Sequence, residues 1–347
     1  MNVPELAYAS VFPGSSVQSF AELAGKSRQA AIITHYDADG DAIGSSLALY
    51  HYLKYKGVKA ARVFTPNPYP AFLHWLPGHD DLQLYEDSQM QVREFIAGAD
   101  LVCYVDFNTL RRLKSMQELF PAKNAKSILI DHHPGPDIIC DLSFSDTKPS
   151  STAELLFYLI CAAGDARLVD LKIASNLFTG IMTDTGCFSF NSSQPATWQA
   201  VAYLLSLPVD KDGIFSRIYE NYTENRMRLM GYCLNEKMKI VPEYKTAYIS
   251  LKQEELEQFG FLPGDSEGFV NLPFSIGGIR ITALFMERKD HIKISFRSKG
   301  NIGINRIARE HFSGGGHQNA AGGESLLGME ETISKFISLL TMYEKEL

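Results

Sequence analysis

Short unbroken apolar runs alternate with longer amphipathic stretches through the first half of the chain. RQAAIIT (28–34) is the first run, of strand length and ending at His35. DAIGSSLALYHYLKYKG (41–57) follows; Ile43, Leu47, Tyr50 and Leu53 step by three and four, which predicts a helix stopped by Gly57. KAARVF (59–64), ADLVCYVD (99–106) and AKSILID (125–131) are further strands, each separated from the next by enough chain for a crossover. That alternation predicts a parallel sheet with helices on both faces. SSTAELLFYLICAAG (150–164), capped by Ser151 or Thr152, and DLKIASNLFTGIMTDTG (170–186) complete the helical set.

After SSQPATW the pattern changes. Residues 196–238 are mostly helical in character, with Pro208 and Gly213 as breaks. From MKIVPEYKTAYISL (238–251) the pattern is strand-rich, through IRITALFME (279–287) and HIKISFRS (291–298), with a short helix at NRIARE (305–310). MEETISKFISLLTMYEKEL (329–347) is a closing amphipathic helix. The expected fold is α/β: a parallel-sheet, Rossmann-like domain over 1–195, a helical linker over 196–238, and a smaller mixed α/β domain over 239–347.

Composition narrows the functions. A net charge of −7 over 347 residues argues against gripping long duplex DNA through the whole surface. It leaves room for a short anionic ligand in a locally basic cleft. MNVPELAYAS lacks the order of a secretory signal, and no apolar run reaches the length of a membrane span, so no membrane partner is expected. The five cysteines are odd in number, scattered and form no C-x-x-C pair, which fits a reducing cytoplasm.

The chemistry lies where the apolar runs end. His35, Asp37, Asp39 and Asp41 follow the first strand, Asp106 ends LVCYVD, and Asp131, His132 and His133 follow SILI. Asp184 ends a helical segment before a glycine turn. In an open parallel sheet, ligands bind beyond the carboxyl ends of the strands, so these groups converge on one rim. Carboxylates mixed with imidazoles suit a first-row divalent ion, manganese above calcium. Asp39, Asp41, Asp106 and Asp184 would carry four negative charges, which two divalent ions would neutralise. Spacing excludes an EF-hand, whose sixth and twelfth positions from Asp37 are Ala42 and Ala48. It also excludes a phosphate loop at GKS (25–27), whose first glycine would fall on Phe20.

Near the C-terminus, the glycines of SGGGH let backbone N–H groups approach an anion, and His317 adds a donor. Arg297 suits bidentate phosphate recognition, and Arg288, Lys289, His291, Lys293 and Lys299 add positive charge nearby. Trp198 is either a core residue or a stacking surface, and Arg111 and Arg112 are either solvated or set to neutralise substrate charge.

In order along the chain, HYDADGDAIGS, VDFNTLRRL, DHHPG, MTDTG, SFRSKG and SGGGHQNAAGG resemble the motifs of the DHH phosphoesterases and their DHH-associated substrate-binding domain. The two-domain layout is most similar to the bacterial nanoRNase/pAp phosphatase branch, which degrades very short RNA and hydrolyses 3′-phosphoadenosine 5′-phosphate (pAp). The resemblance implies two divalent metal ions, with Mn²⁺ as the expected metal. His35, Asp39 and Asp106 would hold one, and Asp41, Asp106, His132 and Asp184 the other, with Asp106 bridging. A hydroxide activated by the two metals would attack phosphorus. Asp131 would orient an imidazole, His133 would face the scissile phosphate, and Arg112 would neutralise charge. Arg297, Ser298, Gly314, Gly315, Gly316 and His317 would hold the substrate across a cleft between the domains. Asp37-Ala38 stands where relatives often carry Asn-Pro, which leaves Asp37 outside the ligand set; Ser313 stands where a fourth glycine is common. The expected partners are short RNA oligonucleotides or nucleotides, in the cytoplasm, and the resemblance allows a homodimer. Alternatives are a cyclic or linear dinucleotide phosphodiesterase using the same site, and a nucleotide sensor that binds without cleaving. A pyrophosphatase ranks lower, because those relatives lack the GGGH-bearing domain.

Overall fold

The computed structural model describes residues 12–120 and 125–343. The sequence MNVPELAYAS and the last four residues of the closing helical segment lie outside the described residues. The chain divides into two compact units, Met1–Glu220 and Asn221–Leu347.

In the first unit the strands are β1 (Gln29–Ile33), β2 (Ala60–Thr65), β3 (Leu82–Leu84), β4 (Leu101–Val105), β5 (Lys126–Asp131) and β6 (Leu142–Ser145). They form one six-stranded sheet, parallel throughout, in the order β3-β2-β1-β4-β5-β6. The helices are α1 (Gly14–Lys26), α2 (Gly40–Tyr55), α3 (Gln89–Ala97), α4 (Thr152–Ala162), α5 (Leu171–Asp184), α6 (Pro195–Leu205) and α7 (Lys211–Tyr219). The apolar runs are continuous because both faces of the sheet are covered. Ala30 and Ile32 of β1, with Leu101, Cys103 and Val105 of β4, face one core; Ala31, Ile33, Val102 and Tyr104 face the other.

The strand order reverses between β1 and β4. Crossovers leave β1 toward β2 on one side, and the chain returns to β4 on the other. The loops after these two strands therefore splay apart and open a crevice at the carboxyl rim. His35 follows β1 and Asp106 follows β4, so both stand at that reversal. Helices α2 and α5 pack on each other at close range, because Gly44 admits the backbone of α5 and Gly180 leaves room for Ala153 and Asp41. A Cβ on Gly44 would lie 2.5 Å from the Asn176 carbonyl oxygen, and one on Gly180 would lie 2.8 Å from Asp41 Oδ1.

The second unit contains β7 (Met238–Val241), β8 (Thr246–Leu251), β9 (Ile281–Glu287), β10 (Ile292–Ser298), β11 (Gly315–His317) and β12 (Ala320–Ser325). Their order is β11-β12-β10-β9-β8-β7, antiparallel except for the β8–β9 pair. With α8 (Glu224–Tyr232), α9 (Gln253–Gln258), α10 (Asn305–His311) and α11 (Met329–Leu339) it is a mixed α/β unit. Sequence and structure thus agree on an α/β fold class with a parallel-sheet N-terminal part and a mixed C-terminal part.

The helical stretch 196–238 divides between the units. Ala200, Leu204, Ile214 and Ile218 join the first core, and Leu229 and Cys233 join one core of the second. Gly213 does not break a helix: it sits in the first turn of α7, where its N–H donates to Asp210 Oδ1 at 3.0 Å. The five cysteines are unpaired. Among the described residues no helix is long and apolar enough to cross a membrane.

Candidate metal centre and substrate face

The loop after β1 is shaped by its own acids. Asp39 caps α2, its Oδ1 accepting from the N–H groups of Asp41 (3.0 Å) and Ala42 (3.1 Å). Asp37 lies in the left-handed region (φ 57°), where its N–H donates to Asn67 Oδ1 at 2.8 Å and its Oδ1 accepts from Asn67 Nδ2 at 2.9 Å. That reciprocal pair directs the Asp37 carboxylate to the loop after β2.

Asp106 also has a left-handed backbone, φ 67°, and is buried. A non-glycine residue held there carries a conformational cost that surrounding contacts must offset. Its two oxygens face different groups. Oδ2 stands 3.5 Å from His35 Nε2, while Oδ1 stands 3.8 Å from His132 Nε2 and 3.6 Å from His133 Nδ1. His132 Nε2 is also 3.9 Å from Asp41 Oδ2 and 3.5 Å from Asp184 Oδ2. Ligand atoms of His35, Asp39 and Asp106 gather within 4.8 Å of one another, as do those of Asp41, His132 and Asp184, and those of Asp106, Asp131 and His133.

The imidazoles are set to present lone pairs. His35 Nδ1 lies 2.8 Å from the Tyr36 carbonyl oxygen, and His132 Nδ1 lies 3.4 Å from that of Pro149. A carbonyl only accepts, so each Nδ1 carries a proton, and Nε2 is the atom left to present a lone pair to a cation. His35 Nε2 is buried without a hydrogen-bond partner among the described residues. Burial first, and then the neighbouring His133, pushes the His132 pKa down to about 4, so that ring is neutral near pH 7.

The carboxylates divide. Burial, followed by the charges of Asp106, Asp184 and Asp39, pushes the Asp41 carboxyl well above the usual carboxylate range. Burial would raise Asp106 too, but His35, His133 and His132 together hold its carboxyl well below that range. Lone pairs and carboxylate oxygens facing one another in a buried crevice repel unless a cation lies between them. Oxygen and imidazole nitrogen donors in this mixture match a first-row divalent ion, so the residues present fit such a group.

A separate hydrogen-bonded chain runs beside them. Asp131 Oδ1 lies 2.7 Å from His133 Nδ1, and His133 Nε2 lies 3.2 Å from Arg112 Nη1. Arginine only donates, so His133 accepts at Nε2 and donates from Nδ1 to Asp131. Arg112 is half-buried and also reaches toward the Asp106 carbonyl oxygen at 3.5 Å, whereas Arg111 is exposed.

One contributor was not legible from the sequence. The first N–H groups of α4, on Thr152 and Ala153, donate to Asp41 Oδ2 (2.7 Å) and Oδ1 (2.9 Å). The Thr152 hydroxyl donates to Asp106 Oδ1 at 2.7 Å. SST signals a helix start; that its open N–H groups would meet the carboxylate of another helix has no local signal.

In the second unit, Arg297 pairs with Ala320, and Ala320 pairs with His317. Residues opposite one another in an antiparallel sheet share a face, so Arg297 and His317 lie on one side with a small alanine between them. The strand spacing sets their backbones about 10 Å apart. Ser298 belongs to the other face. It follows Ile292, Ile294 and Phe296 in alternation, is buried, and donates from Oγ to the Ile302 carbonyl at 2.6 Å. Its hydroxyl holds the turn after β10, on the face opposite Arg297.

The glycines also separate. A Cβ on Gly314 would lie 1.9 Å from the Gly322 carbonyl oxygen, and one on Gly316 (φ 138°) would lie 2.5 Å from that of Ala320; on Gly315 it would meet nothing within 4 Å. Gly314 and Gly316 therefore serve the close approach of β11 to β12, and only Gly315 offers an open flank. Ser313, in the left-handed region at φ 48°, occupies a conformation that glycine adopts at lower cost. Trp198 is 49% exposed; its Nε1 donates to the Ser192 carbonyl and its ring packs on Phe188.

Residues 29–181 match the DHH family N-terminal domain and residues 244–346 the DHHA1 domain. The chain is 30% identical to the bifunctional oligoribonuclease and PAP phosphatase NrnA of Bacillus subtilis over 291 residues, which is 83% of this chain and 86% of that protein. This chain belongs to the DHH family. It is 32% identical to the NrnA of Thermus thermophilus over 84% of this chain and 82% of that one. The crystal structure of an exopolyphosphatase-related protein from Bacteroides fragilis matches with a TM-score of 0.90 and 40% identity, over 97% of this chain and 98% of that one. The DHH-family chain is accordingly a hydrolase of phosphoester bonds.

Proposed function

We propose that the chain is a metal-dependent phosphoesterase that degrades short oligoribonucleotides and also hydrolyses 3′-phosphoadenosine 5′-phosphate. Its similarity to two NrnA proteins, named for both activities, supports the substrate class. The observation that carries the metal dependence is the division of Asp106, with one oxygen toward His35 and the other toward His132.

His35, Asp39 and Asp106 would hold one divalent ion, and Asp41, Asp106, His132 and Asp184 a second, manganese suiting the mixed donors. Bound there, such ions would polarise a phosphoryl oxygen and make water a competent nucleophile near neutral pH. The chain's own groups do the rest. Asp131 fixes the His133 ring by taking its Nδ1 proton in a hydrogen bond. Arg112 keeps a guanidinium beside His133, where it offsets the charge of a phosphodiester and can exchange its imidazole contact for a phosphate oxygen. His133 Nε2, once released by Arg112, is the position from which a proton can pass to or from the reacting oxygen. Arg297 and His317, on one sheet face, would take the anionic end of the substrate, with the Gly315 backbone beside them.

One comparison of initial rates tests this. Purified protein with Mn²⁺ is given a linear diribonucleotide, a five-nucleotide RNA, PAP, a cyclic dinucleotide and inorganic polyphosphate. The diribonucleotide and PAP should turn over fastest, and a chelator should stop both. A preference for the cyclic dinucleotide or for polyphosphate would replace the reading, and binding without turnover would make the chain a sensor.

A further inference from the structure

We infer that Thr152 is a positioning residue of the metal centre, whose hydroxyl fixes which oxygen of Asp106 serves which half of the ligand set. The inference rests on the metal reading above and names a residue outside that set.

Thr152 is the first residue of α4, capped by Ser151, whose Oγ accepts the Glu154 N–H at 3.0 Å. Its hydroxyl is wholly buried and lies between two partners. The His132 N–H can only donate, and it points to Thr152 Oγ1 at 3.3 Å. A hydroxyl carries a single proton, so that proton is committed to Asp106 Oδ1 at 2.7 Å. The carboxylate is thereby held against rotation, with Oδ1 on the His132 side and Oδ2 on the His35 side. The left-handed backbone of Asp106 (φ 67°) sets where its Cα stands but not how its carboxylate is turned. The threonine supplies that missing constraint, and its branched Cβ restricts its own rotamer.

The same residue reaches Asp41 through its backbone N–H at 2.7 Å. Thr152 therefore touches groups delivered by α2, by the end of β4 and by the residue after β5. The turn that carries it is braced from behind. Glu154 Oε2 accepts from the Ser150 N–H (2.9 Å), the Ser150 hydroxyl (2.6 Å) and the Thr197 hydroxyl (2.9 Å). A turn needed only to start a helix would not require three donors on one buried carboxylate oxygen. It would equally not require Thr152 to direct its proton at a carboxylate belonging to another element.

The test compares Thr152→Val, which keeps the shape and removes the hydroxyl, with Thr152→Ser, which keeps the hydroxyl. Chelator-stripped protein is titrated with MnCl₂ by calorimetry, and the metal-free proteins are melted alongside. Loss of a hydrogen bond that orients a ligand typically weakens metal binding by about 10- to 100-fold. The valine variant should fall in that range while the serine variant stays close to the parent. Thr152→Ala is run in parallel, so a folding defect of the valine leaves the comparison intact. Equal Mn²⁺ affinity in the parent and in the variants lacking the hydroxyl would overturn the inference, as would a serine variant that binds as weakly as they do. A parent protein that binds no Mn²⁺ at all would instead overturn the metal reading itself, and this inference with it.

Discussion

The two units solve the problem of placing polar groups in opposite ways. In the first, acids and imidazoles are drawn into a crevice at the ends of buried strands. The most buried of them are fixed by partners from distant parts of the chain: Asp106 faces His35, His132, His133 and Thr152, and Asp41 accepts from the first N–H groups of α4. In the second, Arg297 and His317 stand on the face of an antiparallel sheet, and their spacing follows from register alone. A buried, mutually dependent cluster concentrates its chemistry in groups that cannot change singly. A sheet face distributes recognition over side chains that can.

The sharpest way to break that contrast is Asp106→Asn. The amide keeps the shape but removes a charge that both halves of the ligand set share. It also places an N–H₂ group where an acceptor stood, opposite Thr152 or the histidines. Mn²⁺ binding should be lost from both halves together, and turnover should fall to background. A variant that retains one tight Mn²⁺ equivalent, or measurable Mn²⁺-stimulated turnover, would show that Asp106 does not bridge.

In the second unit the matching change is His317→Ala, with a smaller and more confined effect. A hydrogen bond to a charged group contributes about 1.5–3 kcal/mol, so KM should rise by roughly 10- to 100-fold. Mn²⁺ stoichiometry and affinity should stay as in the parent, because His317 is given no part in holding metal. Loss of bound Mn²⁺ with KM unchanged would reverse the assignment of His317 from reader to ligand.

The same contrast explains what could be read from the sequence. Strands β1, β2, β4 and β5 were legible because strands buried on both faces appear as apolar runs, and the acids that follow β1, β4 and β5 mark the carboxyl rim. Strands β3 and β6 are three and four residues long at the sheet edges and leave no comparable run. The gathering of His35, Asp39, Asp41, Asp106, His132 and Asp184 was legible because these acids and imidazoles stand where apolar runs end. Thr152 was not, since its role depends on the meeting of α4 with α2, which no local pattern encodes. The face on which Ser298 lies was available from alternation: Ile292, Ile294 and Phe296 already assign that parity to the core. Gly213 was misread because an N-cap hydrogen bond to Asp210 stabilises a glycine in the first turn.

The smallest effect comes from the glycines at and just before β11 and discriminates between the two roles they could have. If they serve strand approach alone, only Gly314 and Gly316 are constrained, and Gly315 is free to change. If one of them also leaves room for an anion, it is Gly315, whose added Cβ would meet nothing within 4 Å among the described residues beyond its own chain neighbours. Gly315→Ala should therefore leave stability within about 0.5 kcal/mol of the parent, as for an unconstrained surface position. Gly314→Ala should lower the melting temperature clearly, since its Cβ would sit 1.9 Å from a backbone oxygen. The informative readout is KM for the diribonucleotide in Gly315→Ala. A modest rise at unchanged melting temperature places the substrate against that flank, and an unchanged KM reduces the glycine run to a device for strand pairing.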